Sequence, residues 1–278
     1  MPALAVKTKE ADMAVTRKNT VLALAATVCV AALAVMAPSG VAQAGTVTTS
    51  NVSLPNGDDL VNIVDTTASI DGGGSSLIAG TIGLATSIGS LNTYCTDLFD
   101  YIDLGANTYT FNQTTLSTSQ QHTTNGSTEV NWTQTQVNLM NALLANGSLQ
   151  SQTALNSSAL QIAIWEVEYG TAASNGTYNL SATNQNFYFT ASGSDSNSAS
   201  AISLAQTFLN DVTGYVSGSS FVNATWNLNA SDVVEYLISN PAGTQNLIYV
   251  ASAPEPSTVA VFGLALIGLW AAKRRKLI

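Results

Sequence analysis

Ser158-Ala159-Leu160-Gln161-Ile162-Ala163-Ile164-Trp165-Glu166-Val167-Glu168-Tyr169 is the stretch around which the rest of the chain arranges itself. Leu160, Ala163, Ile164 and Val167 recur at i, i+3, i+4 and i+7, the spacing of one face of an α-helix, and Gly170 ends the run. Gln161, Trp165 and Glu168 then share the neighbouring face. Burying an amide without a partner costs about 1–3 kcal/mol, so a glutamine beside an apolar stripe needs a reason.

Two further helices flank this one. Gln136 to Leu144 places Val137, Met140, Leu143 and Leu144 at helical spacing and ends near Asn146-Gly147. Ala201 to Val216 carries Ile202, Ala205, Leu209 and Val212, after a Ser/Gly/Asn-rich loop from Ala191 to Ser200. Strands are expected on both sides. Before the helices, Thr46–Val52 and Leu60–Val64 alternate with β-branched residues, and Asp71-Gly72-Gly73-Gly74 breaks the chain. Gly105-Ala106-Asn107 turns into a strand at Thr108–Phe111, and Gln113 to Thr128 reads as a polar loop in which His122 is solvated. After the helices, Phe221–Leu228 and Asn246–Ala251 return to strand. This order predicts an α+β fold: a β sandwich or barrel over residues 45–252, interrupted by a small helical bundle at about 133–217.

The two ends read differently. Arg17 and Lys18 precede an apolar core from Val21 to Met36, and Ala42-Gln43-Ala44 offers a small-x-small cleavage site before Gly45. Residues 1–44 are thus expected to be a secretory signal, with Met13 as a second possible start. At the back come Pro254-Glu255-Pro256, an apolar run over 259–272, and the basic cluster Lys273, Arg274, Arg275 and Lys276. As a short hydrophobic helix the run would reach roughly 21 Å, short of the ~30 Å hydrocarbon core. It suits a transient hold at the inner membrane with its positive charge inside. This three-part tail, 253–278, resembles the PEP-CTERM sorting signal. The resemblance implies recognition by an exosortase and delivery to the outer surface or extracellular matrix of a Gram-negative bacterium, where such proteins are associated with biofilm.

Composition narrows the body. All 8 basic residues of the 278-residue chain lie at its extremities. Of the 17 acidic residues, Glu10, Asp12 and Glu255 lie outside the body, which leaves 14 acids and no lysine or arginine within it. Such a surface repels nucleic acid and anionic lipid. No cofactor or metal site is expected. One cysteine and one histidine fall short of a closed zinc site, and Asp58, Asp59, Asp65 and Asp71 lack EF-hand spacing and read as turn and surface residues.

Cys29 lies in the signal, so Cys95 is the body's only thiol. It has no cysteine partner, and three acids (Asp97, Asp100, Asp103) surround it where an activated thiol wants positive charge. From the residues alone two readings stand: Cys95 and Gln161 are ordinary core residues, or Cys95 and His122 form a hydrolytic pair.

Tyr94-Cys95-Thr96-Asp97-Leu98 and Leu160-Gln161-Ile162-Ala163-Ile164-Trp165 together resemble the paired motifs of bacterial surface thioester domains. The resemblance implies an internal thioester between Cys95 Sγ and the side-chain carbonyl of Gln161, with loss of ammonia. Tyr94, Asp97 and Trp165 would shield or support it. It also implies a surface adhesin that acylates an amine or hydroxyl on a partner protein or polysaccharide, once per molecule and so not as an enzyme. The lysine-free body fits, because surface amines would consume the bond. The competing expectation is a noncovalent exopolysaccharide-binding matrix protein that uses Trp132, Trp226 and tyrosines.

Overall fold

The computed structural model describes residues 45–65, 77–123, 128–147, 153–173, 176–181, 186–213, 216–217, 220–221 and 232–252. The signal, the sorting tail, Asp71 and Trp226 lie outside them. So does most of the strand expected at Phe221–Leu228, of which Phe221 alone is described.

Six antiparallel strands close a barrel: β1 (Gly45–Ser53), β4 (Ile82–Thr86), β5 (Gly89–Cys95), β13 (Leu247–Ser252), β12 (Asp232–Ser239) and β6 (Thr110–Thr115), which returns to β1. β1 makes the closure by serving two partners. Its first half pairs with β6 (Val47 opposite Phe111) and its second with β4 (Val52 opposite Leu84). A register shift between Thr49 and Asn51 separates the halves. It also changes the phase of the inward side chains, from Val47 and Thr49 to Val52, as an extra residue in a period-2 strand must.

A second sheet runs β3 (Leu77–Gly80), β2 (Asp58–Asp65) and β9 (Phe187–Ala191), with β3 at one edge. Two hairpins complete the strands: β7 (Gln121–Thr123) with β8 (Glu129–Asn131), and β10 (Val216–Ser217) with β11 (Ser220–Phe221). Among the described residues, no helix is long and apolar enough to cross a membrane.

The helices are α1 (Gln134–Gly147), α2 (Ala154–Tyr169) and α3 (Ser198–Thr213). α1 opens on a capping box: Thr133 Oγ1 accepts from the Gln136 N–H, and Gln136 Oε1 accepts from the Thr133 N–H. α2 starts four residues before its expected onset because Thr153 caps it, accepting from Asn156 N–H. α3 begins at Ser198 and stops at Thr213, so Val216 belongs to a strand and not to the helix.

One expectation fails in an instructive way. α2 is not amphipathic in its setting: every residue from Ser157 to Glu168 is buried. It lies between α1 and α3 on one side and β2, β3 and β5 on the other, so it needs no solvent face. Its polar residues therefore need partners within the core. Ser158 finds one, donating its hydroxyl to Ala79 O of β3 at 2.7 Å. Each fully buried Leu or Ile here, such as Leu160 and Ile164, contributes about 1.5–3 kcal/mol of burial.

Other corrections follow from packing. His122 is not solvated: it lies on β7 at 2% exposure, covered by Trp132. Trp132 itself is 1% exposed and presents no surface to a glycan. Asp59 is buried and not a surface residue. Strands β9 and β12 were not expected from the sequence.

Gly170 does end α2, but its φ of −72° is open to any residue. The constraint is space, since an added Cβ would lie 2.5 Å from the Glu166 carboxyl carbon. Gly170→Ala should therefore destabilise the protein by about 1–3 kcal/mol through overpacking, read as a lowered denaturant midpoint with unchanged slope.

Candidate functional site

Cys95 is the last residue of β5, and its two flanks differ. On one side β13 continues alongside, with Leu247 opposite Cys95 and Ile248 opposite Tyr94. Thr96 N–H still donates to Asn246 O there, at 2.9 Å. On the other side the β4 ladder has already ended, at the Ile82–Thr93 pair. The Cys95 N–H and C=O point to that vacated side, where no strand reaches them.

The Gln161 carboxamide fills the gap. Cys95 N–H donates to Gln161 Oε1 at 2.8 Å, and Gln161 Nε2 donates to Cys95 O at 2.8 Å. One planar amide thus replaces a missing strand residue, donor for acceptor and acceptor for donor. This is why a glutamine sits in the core of α2 at 1% exposure: both its polar atoms are used. It also holds the side-chain carbonyl carbon of Gln161 beside the residue that carries the thiol.

The thiol is free and buried. Cys95 Sγ donates to Asp97 O at 2.9 Å, and Asp97 N–H reaches the sulfur at 3.3 Å, so the chain after β5 curls around it. Burial pushes the thiol above its ordinary pKa, so it is held as neutral S–H. The Trp165 indole N–H makes no regular hydrogen bond, yet lies close enough to the sulfur to favour its charged form slightly. Asp97 shapes the turn, its Oδ1 accepting from Phe99 and Asp100 N–H. Burial nevertheless raises its carboxyl to about 6.

Cys95, Gln161 and Trp165 together line a cleft of about 520 Å³ that opens to solvent. Tyr94 does not join them. It points to the other face of β5, its hydroxyl accepting from Thr81 Oγ1, and it lines a separate hollow of about 280 Å³ with Leu144 and Tyr249. Alternation along a strand requires this, since neighbours face opposite sides. Pro254, Glu255, Pro256 and the basic cluster 273–276 lie outside the described residues.

A support layer that the sequence reading did not identify stands near the motif. The Tyr169 hydroxyl accepts from Leu98 N–H at 3.2 Å and donates to Thr96 O at 3.4 Å. Gln245 Nε2 donates to Asp97 O at 3.3 Å. Tyr169 was legible: Gln161, Trp165, Glu168 and Tyr169 fall at i, i+4, i+7 and i+8, one helical face. Next to it, His122 stacks on Trp132 with ring centroids 4.3 Å apart, and its Nδ1 lies 3.2 Å from Glu168 Oε1. Burial drives both to neutral forms, lowering the imidazole to about 4 and raising the carboxyl well above its usual range. His122 does not line the cleft, and the sulfur's hydrogen bonds are with Asp97, so the geometry does not build a Cys–His nucleophile. Among the described residues no cluster of His, Cys, Asp or Glu is placed to hold a metal.

The PEP-CTERM protein-sorting motif matches residues 252–276. No curated protein matches the chain. Among solved structures, the N-terminal domain of the Streptococcus pyogenes pilus tip adhesin Cpa aligns over 73% of this chain and 100% of its own, at 12% identity and a TM-score of 0.40. The N-terminal thioester domain of fibronectin-binding protein SfbI, also from Streptococcus pyogenes, aligns over 73% and 98%, at 12% identity and a TM-score of 0.38. That of a Clostridium perfringens surface protein covers 69% and 97%, at 11% identity and a TM-score of 0.34. Thioester domains of surface proteins are thus structural neighbours of this chain. At such TM-scores the overlap is loose, and the chemistry of the site rests on its own atoms.

Two outcomes check this geometry. Gln161→Ala strands a buried N–H and a buried C=O of Cys95, and should cost about 2–4 kcal/mol in chemical denaturation. Glu166 is buried with neither carboxylate oxygen partnered, and burial raises it from 4.5 to about 8. A carboxyl raised on folding binds its proton more tightly in the folded state. Its contribution is complete below about pH 4.5 and is lost as pH rises toward 8. Glu166→Gln should flatten the fall in melting temperature across that window.

Proposed function

We propose that Cys95 and Gln161 join as an internal thioester and that the protein uses it to attach itself covalently to a partner at the cell surface. The observation that carries this reading is the double hydrogen bond of 2.8 Å and 2.8 Å between the Gln161 carboxamide and the Cys95 backbone. It immobilises thiol and carbonyl as neighbours, replacing a chance encounter with a held pair.

The chemistry balances simply. Cys95 Sγ turns from Asp97 O and attacks the Gln161 side-chain carbonyl carbon. The S–C bond forms, the C–N bond breaks, and the thiol proton leaves with the amide nitrogen as ammonia. In the second step a partner's amine or hydroxyl attacks the same carbon. An amide or ester links the partner to Gln161, and the Cys95 thiol is released with its proton. Each molecule reacts once, so this is attachment and not turnover.

Burial favours a long-lived bond once it is formed: the pair is buried beside α2 and Trp165, which limits hydrolysis. The cleft offers an approach for a nucleophile. The absence of lysine and arginine between residues 19 and 272 prevents copies from consuming each other's bond through lysine. The sorting motif at 252–276 directs the chain to an exosortase, with transient inner-membrane anchoring before release to the surface.

Intact mass of the exported protein tests the bond. The expected value lies below the sequence mass by one ammonia. Methylamine should then add to Gln161 and expose one titratable thiol, and Cys95→Ala should abolish both effects. Opening the bond also removes a cross-link between residues 66 apart in sequence. By analogy with disulfide loop closure this should lower stability by about 4 kcal/mol, visible as a lower melting temperature after methylamine. An unchanged mass with a freely titratable thiol in folded protein would overturn the proposal.

A further inference from the structure

The mouth of the cleft has a composition of its own. Of the five large hydrophobic side chains exposed among the described residues, three belong to it: Ile78 at 49%, Tyr101 at 64% and Leu104 at 50%. Exposed apolar side chains scattered singly need no explanation, whereas a cluster around one opening marks a contact surface. Ile78 lies on β3, an edge strand of its sheet, and lines the same cleft as Tyr101 and Leu104 of the segment after Cys95. Inside, Ile82 and Leu98 continue the apolar lining down to Cys95 and Gln161.

The polar side chains are few. Apart from the reacting pair and the Trp165 ring nitrogen, Asp100 and Gln245 are the hydrogen-bonding groups on the wall besides the Tyr101 hydroxyl. A sugar chain entering here would lose water from its hydroxyls and find little in return. Asp100 on the wall and exposed Asp103 between Tyr101 and Leu104 favour a cation. A second copy of this chain has no lysine in its body to supply one.

Building on the thioester reading, we infer that the cleft receives a different polypeptide, entering with apolar side chains on Ile78, Tyr101 and Leu104 while its adjacent lysine reaches the Gln161 carbonyl. The rim selects the partner and the buried pair captures it. The amine attacks, the amide forms on Gln161, and the Cys95 thiol departs protonated.

The test uses the exported protein and four probes: methylamine, a short peptide with lysine between leucine and phenylalanine, the same peptide with lysine between serine and glycine, and dextran. Acylation is followed by intact mass. The apolar peptide should react at least about tenfold faster than the polar one, corresponding to about 1.4 kcal/mol. In Ile78→Ser/Leu104→Ser protein, the ratio of its rate to that of methylamine should fall by a similar factor. Equal rates for the two peptides, or preferential labelling of dextran, would overturn the inference while leaving the thioester standing. Should methylamine itself fail to react, the thioester reading falls, and the rim is then judged by noncovalent binding to Cys95→Ala protein. There, fluorescence anisotropy should show the apolar peptide binding more tightly than the polar one, with the difference lost in the rim variant. No difference would reject the docking surface as well.

Discussion

A strand that outlasts its neighbour leaves backbone groups that something must satisfy. β5 continues to Cys95 after β4 has peeled away at Ile82, and the free donor and acceptor of Cys95 are buried. The Gln161 amide is the matching group, presenting acceptor and donor in one plane. Satisfying a backbone and positioning a reactive carbonyl are here the same act. The arrangement also explains why α2 must be central: its one amide has to reach the barrel wall, so the helix cannot lie on the surface.

The remainder of the site keeps that pair still and neutral. Tyr169 clamps the chain after Cys95 from the end of the same helix, and Gln245 holds it from the turn before β13. Asp97 folds its carboxylate back onto the following N–H groups instead of toward the sulfur. Around them the ionisable groups are pushed to their uncharged forms by burial: the Cys95 thiol, the Glu168 carboxyl and the His122 imidazole. A buried, uncharged surround disfavours a thiolate. It is a poor setting for a thiol that must turn over repeatedly.

The cleft onto Cys95 and Gln161 is lined mainly by apolar side chains, with Asp100 on its wall. Of the aromatic residues expected to meet a glycan, Trp132 is buried. Trp132 is committed to His122 and Tyr236, at ring separations of 4.3 and 6.1 Å. The segment following Cys95 thus supplies the exposed apolar mouth of the cleft, while Cys95 itself is buried.

The order strands, helices, strands was legible in the chain, as were α1, α2, α3 and β13 to within a few residues. Two local motifs, one at a strand end and one on a helix face, singled out Cys95 and Gln161, and the structure brings the two residues into hydrogen-bond contact. The sorting tail was legible because three short segments in fixed order need no tertiary context. β12 was missed although Val233-Val234-Glu235-Tyr236-Leu237-Ile238 is a β-rich run bounded by Asp232 and Asn240-Pro241. Other features were settled only by packing. The full burial of α2 depends on what covers its second face, which periodicity cannot tell. Tyr94 was expected beside the cross-link and lies on the opposite face of β5. His122 was expected in water and is stacked on Trp132, because a polar neighbourhood in sequence says nothing of what lies across a hairpin. Local patterns determined which elements form and which residues are chemically unusual. Long-range contacts decided which of them meet, since burial belongs to pairs of surfaces and not to single segments.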